Sequence, residues 1–337
     1  MNEFLRSVLE GINSVINNYG WSIMVFTFLV RFVLLPFDAK SRKSMRKMSL
    51  VQPKISELQK KYANDKEKLN QKTAELYKKE KINPLSSCLP MILTLPVLFA
   101  MFAAMRMIAN AQLASQLIDL ISGKEPQYER FLWIRNIWMP DSPFASIVPD
   151  EAAIRTIPND IWKQVFDKLT PENFNLLPDI AIPYDFSSDN SIKLVVDAMI
   201  THMKNMDTYL MNVETVKGFT NINLIVFKIT VYIKYNGFFI LPILAAGTQI
   251  LMTKLNPAAT GVQQTQPGAQ GKMGGTGGFM KWFFPAFSLL ICSSQNAGFS
   301  LYWVAANIIM SIQTWVLNQY FDAKDKKQTV IAEGTLQ

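Results

Sequence analysis

The sequence is short of the residues that metal sites and disulfide scaffolds need. Of 337 residues, two are cysteine and one is histidine. Cys88 and Cys292 fall near opposite ends of their predicted spans, beyond bridging geometry, and His202 stands alone in a polar segment. The apolar segments hold no paired carboxylates, and no glycine-rich phosphate loop precedes a helix; GKMGGTGG at 271–278 lacks the Gly-Lys-Ser/Thr ending of one. These absences argue against an enzyme, a bound metal or a cofactor. One more carries further. Several stretches are apolar enough to cross a bilayer, none contains Asp or Glu, and one carries an arginine well inside it.

What is present is hydrophobicity in blocks: 49% hydrophobic residues, mean hydropathy +0.11 and a formal charge of +8. That composition points to a multi-span membrane protein. Residues 1–18 keep an amphipathic beat through Phe4, Leu5, Val8, Leu9, Ile12, Val15 and Ile16. This reads as a helix lying in the membrane interface, with a core-packing helix as the alternative. Glu3 and Arg6 at the start, and no small-residue cleavage site, argue against a cleaved signal peptide. The first span, 19–37, ends at Pro36 and Asp38 and carries Arg31. A charge deep in hydrocarbon costs about 2.5–3.5 kcal/mol on insertion scales. Snorkelling toward the nearer interface, about 9 Å away at 1.5 Å per residue, is the plain explanation. The backward tilt of the Cα–Cβ bond works against it.

Residues 38–86 are the most basic part of the chain, with fourteen Lys or Arg against six acids. Met45, Met48, Val51, Ile55, Leu58 and Tyr62, then Leu69, Leu76 and Tyr77, keep helical spacing. A helical hairpin is expected, bent at Pro53, with Ala63-Asn64-Asp65 ending one arm and capping the next; a solvated basic loop would not need paired apolar stripes. The second span is 87–108, closed by Arg106. Residues 109–236 are acidic, punctuated by Pro and Asp, with a helix expected around Ser191–Met211. Asn223–Tyr235 reads equally as a strand or as a helix leading into the third span. The third span (237–254), a flexible linker (255–278), the fourth (279–294) and fifth (298–320) spans and a disordered tail (321–337) complete the chain. The positive-inside rule puts the basic hairpin in the cytoplasm, hence the N-terminus outside and the C-terminus inside.

Polar residues recur in the spans: Ser22, Thr27, Thr94, Thr248, Gln249, and in the fifth span Tyr302, Trp303, Asn307, Ser311, Gln313 and Thr314. Trp303, Asn307, Ser311 and Thr314 share one helix face. Singly such residues are interhelical glue. As a face beside an uncompensated arginine they suggest a wet cavity whose positive centre takes acidic or carbonyl groups from outside the protein.

Three blocks then make the sequence recognisable: RFVLLPFDAKSRKSMRKM…QPKI…LYK…NPLSSCLP from Arg31 on, FFILPILAAGTQILMTKLNP at 238–257, and MKWFFPAFSLLICSSQNAGFSLYWVAANIIMSIQ at 280–313. The chain resembles the YidC family of membrane protein insertases, as a bacterial member without a large N-terminal periplasmic domain. The resemblance implies an all-α polytopic membrane protein. Five transmembrane helices would surround a hydrophilic groove, with a cytoplasmic hairpin, an N-terminal interfacial helix and an extra extracytoplasmic insertion. It implies that Arg31 matches the family's groove arginine and that Gln249 and Trp303 line the same groove; Thr94, Tyr302 and Asn307 complete the expected set. The hairpin, with Lys43, Arg46, Lys47, Lys60 and Lys61, would be mobile and act at the cytoplasmic entrance. Two departures stand out: the long insertion at roughly 141–234, and Gln295-Asn296 before Ala297-Gly298 where a proline is common. The implied function is insertion and chaperoning of nascent membrane proteins in a bacterial plasma membrane. The expected partners are nascent chains, the ribosome, the general secretion translocon and anionic lipid, with no small-molecule substrate. The alternative is an anion transporter or channel that uses Arg31, which would call for inverted repeats.

Overall fold

A computed structural model describes residues 2–80, 89–167, 188–219, 222–224, 227–255 and 276–334. The described elements are α1 (Asn2–Ile16), α2 (Tyr19–Lys61), α3 (Lys66–Lys79), α4 (Leu89–Ile121), α5 (Glu151–Ile154), α6 (Asn159–Phe166), α7 (Asp189–Met203), α8 (Asp207–Val213), β1 (Ile222–Leu224), β2 (Phe227–Ile229), α9 (Ile240–Leu255), α10 (Thr276–Ser294) and α11 (Ala297–Gly334). Three helices, α2, α4 and α11, are long and apolar enough to cross a membrane; α9 and α10 are shorter apolar helices. The protein is a polytopic membrane protein of the all-α class, with a short antiparallel strand pair, β1 and β2, among the described residues.

Several expected boundaries move. The first span was expected to end at Pro36 and Asp38, but α2 runs on through Pro36 and Pro53 to Lys61. Each proline removes one backbone donor and frees one carbonyl; at Pro36 neighbouring side chains in a membrane make the loss tolerable, and at exposed Pro53 water can take the freed carbonyl. Beyond Pro36, Lys, Arg, Met and Ser continue the helix into the first arm of the basic hairpin. Helix α4 continues thirteen residues past the expected end at Ile108 because Leu113, Ala114, Leu117, Ile118 and Ile121 keep a buried stripe. The tail expected to be disordered from 321 is helical through Gly334. The helix expected around Ser191–Met211 is two, α7 and α8, parted at Lys204–Met206. Of the linker 255–278, residues 256–275 lie outside the described residues, as do 81–88 before α4.

Contacts divide the chain into two units. The first comprises Met1–Phe26, Ala100–Ile243 and Leu290–Tyr302. Its core gathers Ile134, Ile137, Trp138, Trp162, Phe166 and Met199, all nearly inaccessible, and α6 packs on α7. The Trp138 ring meets Tyr19 edge-on at 4.8 Å. Gly20 lies so close under Phe131 that a Cβ there would overlap the ring. Strands β1 and β2 pair antiparallel, Ile222 with Ile229, so the strand reading of 223–235 holds over part of its length and the helix reading does not. A second pairing, Thr215 with Tyr232, follows.

A polar knot organises this unit. Buried Asn236 donates from Nδ2 to the carbonyls of Asn136, Met139 and Pro140, while its Oδ1 accepts from the Asn136 amide at 2.8 Å. Asn136 in turn donates to Gln116 Oε1 and the Ile147 carbonyl. Asp141, fully buried, accepts from the amides of Phe238 (2.9 Å) and Leu241 (2.7 Å) and from Trp133 Nε1 (3.2 Å), capping α9. The turn between α10 and α11 is fixed here too. Asn296 Oδ1 accepts from the Phe299 amide as an N-cap, and the free amides of Ala297 and Gly298 donate to the carbonyls of Met139 and Ile137. The asparagine thus does by capping what a proline does by fixing φ.

The second unit comprises Thr27–Phe99, Leu244–Leu289 and Trp303–Gln337. It holds the hairpin. Asp65 caps α3 by accepting from the Lys68 amide at 3.0 Å, as its position suggested. Val51 and Ile55 of α2 are buried against Met48, Leu76 and Tyr77, so the paired apolar stripes do pack. Lys54 on α2 and Glu80 after α3 close the pair at 2.8 Å.

Candidate functional site

Within the second unit, α2 and α11 meet along a polar seam. The Arg31 side chain is 9% exposed, and its Nη1 donates to Met310 Sδ at 3.5 Å. A thioether is a weak acceptor, and among the described residues no carboxylate lies in salt-bridge contact with this guanidinium. Gln313 Nε2 donates to the Arg31 backbone carbonyl at 3.2 Å. About three turns further along α2, Arg42 Nη2 donates to Thr314 Oγ1. One turn beyond that, Arg46 pairs with Asp322 at 2.5 Å. The contacts advance in the same direction along both helices, so α2 and α11 run parallel here.

The spacing explains why these side chains share a line. Seven residues turn an α-helix through about 700°, within 20° of two full turns. Arg31, Asp38 and Arg42, at i, i+7 and i+11, therefore stack on one face of α2. Asp38 feels the charges of both Arg31 and Arg42. Its Oδ2 is buried without a hydrogen-bond partner among the described residues, as are Ser41 Oγ and Gln313 Oε1. Asn307, Ser311 and Thr314 of α11 are buried polar residues on the facing side. Asn307 Nδ2 donates to Thr248 Oγ1 of α9 at 3.2 Å, whereas Ser311 and Thr314 donate to carbonyls of their own helix at Asn307 and Met310.

The expected groove residues divide accordingly. Arg31 and Asn307 lie in the second unit with their partners Met310, Gln313 and Thr248. Gln249 is half-buried, next to Thr248 on α9, and Trp303 is half-buried at the start of the second unit's part of α11. Tyr302 belongs to the first unit, buried against Phe299 with ring centroids 6.4 Å apart. Thr94 is on α4, and its side chain lies outside the described residues. Of the hairpin cations, Lys43, Lys47, Lys60 and Lys61 are exposed, Lys61 over the Tyr62 ring, while Arg46 is drawn into the seam. Sequence reading missed Asp38, Ser41, Arg42 and Met310 as site residues. The signal was the i, i+7, i+11 spacing, hidden by ending the helix at Pro36.

A family model described as "60Kd inner membrane protein" matches residues 11–325. Among similar proteins, a "Membrane protein insertase YidC" of Fusobacterium nucleatum subsp. nucleatum is 39% identical over 135 residues, 40% of this chain and 58% of that protein. One of Caldanaerobacter subterraneus subsp. tengcongensis is 40% identical over 126 residues, 37% of this chain and 61% of that protein. One of Thioalkalivibrio sulfidiphilus is 45% identical over 95 residues, 28% of this chain and 17% of that protein. The aligned part spans less than two thirds of each relative's length.

Proposed function

The chain belongs to the 60Kd inner membrane protein family, a multi-pass bacterial inner-membrane protein, and from that premise we propose that it is a membrane protein insertase and chaperone. The observation that carries the reading is Arg31: a cation in an apolar helix, buried, held by a sulfur and with no carboxylate in salt-bridge contact among the described residues. Such a group gains most from an acceptor brought from outside.

In this reading the hairpin and the C-terminal tail face the cytoplasm, and residues 109–236 and the N-terminus face outside. A nascent chain, delivered by the ribosome alone or with the secretion translocon, meets the exposed hairpin lysines, which also suit anionic lipid. Its short polar flank enters the seam beside Arg31, Gln249, Trp303 and Asn307, where the guanidinium attracts carboxylates and carbonyls and offsets part of their desolvation. Helix α9, sixteen residues or about 24 Å long, falls short of a 30 Å hydrocarbon core; a short span favours a locally thinned bilayer and a shorter crossing. Burial of the substrate's apolar segment in lipid then drives the step without a nucleotide. The exposed faces Phe28, Phe32 and Val33 of α2 and Ile308, Ile312 and Trp315 of α11 suit lipid or a departing substrate helix.

Photocrosslinkers placed at 31 and 303 test this against a stalled nascent single-span protein. The expected result is an adduct from both positions, lost when the substrate's apolar segment is made polar. Arg31→Lys should keep most insertion while Arg31→Ala and Arg31→Glu lose it. Folded protein that crosslinks from neither position would sink the reading and direct attention to anion flux.

A further inference from the structure

Asp38 has no task in the mechanism above, yet it is the acid nearest in sequence to Arg31. Its stripe on α2 is Arg31, Asp38, Arg42, and both arginine charges act on its carboxyl. The arginines have other contacts, Arg31 with Met310 and Arg42 with Thr314. Oδ2 of Asp38 has none among the described residues, although it is buried; Ser41 Oγ and Gln313 Oε1, on the same stretch of α2 and α11, are in the same condition. Native proteins leave few buried acceptors without donors, so each such group calls for an explanation. The Asp38 and Gln313 oxygens only accept, so each asks for an N–H or O–H donor.

We propose that Asp38 is a specificity-determining residue: it takes an ammonium, guanidinium or amide N–H from the trailing part of a substrate's flank while Arg31 takes a carboxylate or carbonyl from the leading part. This rests on the insertase reading and adds a preference to it. Seven helical residues separate the two charges by about 10 Å along α2, which an extended chain spans in about three residues. The favoured flank therefore carries an acid followed three residues later, toward the apolar segment, by Lys or Arg. With Arg31 the deeper of the two, the cation sits toward the hairpin side while the flank occupies the seam.

The full chain in liposomes tests this with three stalled single-span substrates whose N-terminal flank must cross. Each has a fixed Asp and differs only three positions later: Lys, Gln or Asp. The wild-type protein should insert the Lys substrate over the Asp substrate by about fivefold, the ratio one partly exposed ion pair supplies. Asp38→Asn should bring that ratio close to one and Asp38→Glu should keep it. A purely structural Asp38 would change the yield of all three substrates together and leave the ratio alone, which overturns the proposal. Carbodiimide coupling on the wild-type protein needs no variant: it should join the substrate lysine to Asp38 as an amide, and a lysine substrate that inserts without an adduct at Asp38 also overturns it. Insertion of all three substrates without preference refutes this inference alone, whereas insertion of none refutes the insertase reading.

Discussion

Replacing Asp141 with alanine should uncap helix α9 and loosen the unit built around residues 131–148. The carboxylate accepts from two backbone amides, Phe238 at 2.9 Å and Leu241 at 2.7 Å, and from the Trp133 indole at 3.2 Å. Hydrogen bonds to a charged acceptor contribute roughly 1.5–3 kcal/mol each, and a lost N-cap costs about 0.5–2 kcal/mol. The terms overlap, because one carboxylate supplies both, so Asp141→Ala should cost about 3–4 kcal/mol. Asp141→Asn keeps one accepting oxygen and should cost about half of that. In a chain of this size the alanine change amounts to a drop in Tm of roughly 4–6 °C. Thermal unfolding in detergent, followed by tryptophan fluorescence, reads the shift, and hydrogen exchange at 238 and 241 localises it. Gly237 gives an internal control, since a Cβ there would overlap the Asp141 side chain. Gly237→Ala should damage the same cap, so the double variant should cost less than the sum of the singles. A Tm within 1 °C of wild type for Asp141→Ala, with the two amides still protected, would refute the capping argument.

Four further changes test other parts. Ile55→Ala empties the small hairpin core and should cost about 2–4 kcal/mol, read as faster hydrogen exchange in α3. Glu80 is held below the usual glutamate range by its hydrogen bond from Lys54 and then by the Lys54 charge; this contribution is full above the ordinary pKa and fades as pH falls through the depressed one, so acid should open the hairpin, and Lys54→Ala should remove that pH dependence. Burial first, then the Asp150 charge, pushes the Tyr232 phenol up to about 12; its contribution is complete below the ordinary tyrosine pKa and is lost as pH rises through about 12, and Tyr232→Phe should flatten the alkaline limb of a stability profile. Gly20→Val should push against the Phe131 ring and lower Tm, with Phe131→Ala relieving part of the loss.

The five apolar helices, the amphipathic start and the hairpin were legible because each follows from a period of 3.6 residues and local turn chemistry. Asp65 illustrates the local case: its cap reaches only to Lys68. Pro36 shows where local rules mislead, since a proline after a span reads as a stop unless the surroundings are known to absorb the freed carbonyl. That single misplaced end hid Asp38 and Arg42, which lie on Arg31's face only if the helix continues. The Asn136–Asn236 knot was beyond reach for another reason. It joins residues 100 positions apart through side-chain amides, and neither asparagine differs in sequence from those that merely make turns. The tail helix has a similar cause: Asp322 finds Arg46 some 276 residues away.

The unbroken α2 also bears on which part of the hairpin moves, if it is mobile as the resemblance implies. Arg31, Arg42, Arg46, Val51 and Ile55 belong to one helix, and Arg42 and Arg46 tie it to Thr314 and Asp322 of α11. Swinging the first arm away would break those contacts or bend the helix at Pro36 or Pro53. The second arm is held by less: a four-residue turn, Tyr62–Asp65, the buried side chains of Leu69 and Thr73, the small patch of Leu76 and Tyr77 on Val51, Ile55 and Met48, and an exposed ion pair. An exposed pair contributes about 0–1 kcal/mol, and half-buried Leu76 and Tyr77 together contribute a few kcal/mol at roughly 25 cal/mol per Å². Helix α3 is therefore the part that thermal motion or an arriving nascent chain can lift, while α2 keeps Arg31 and Asp38 in register with α11. A disulfide between the two arms should then slow substrate capture, whereas one between α2 and α11 near Arg46 and Asp322 should leave it intact.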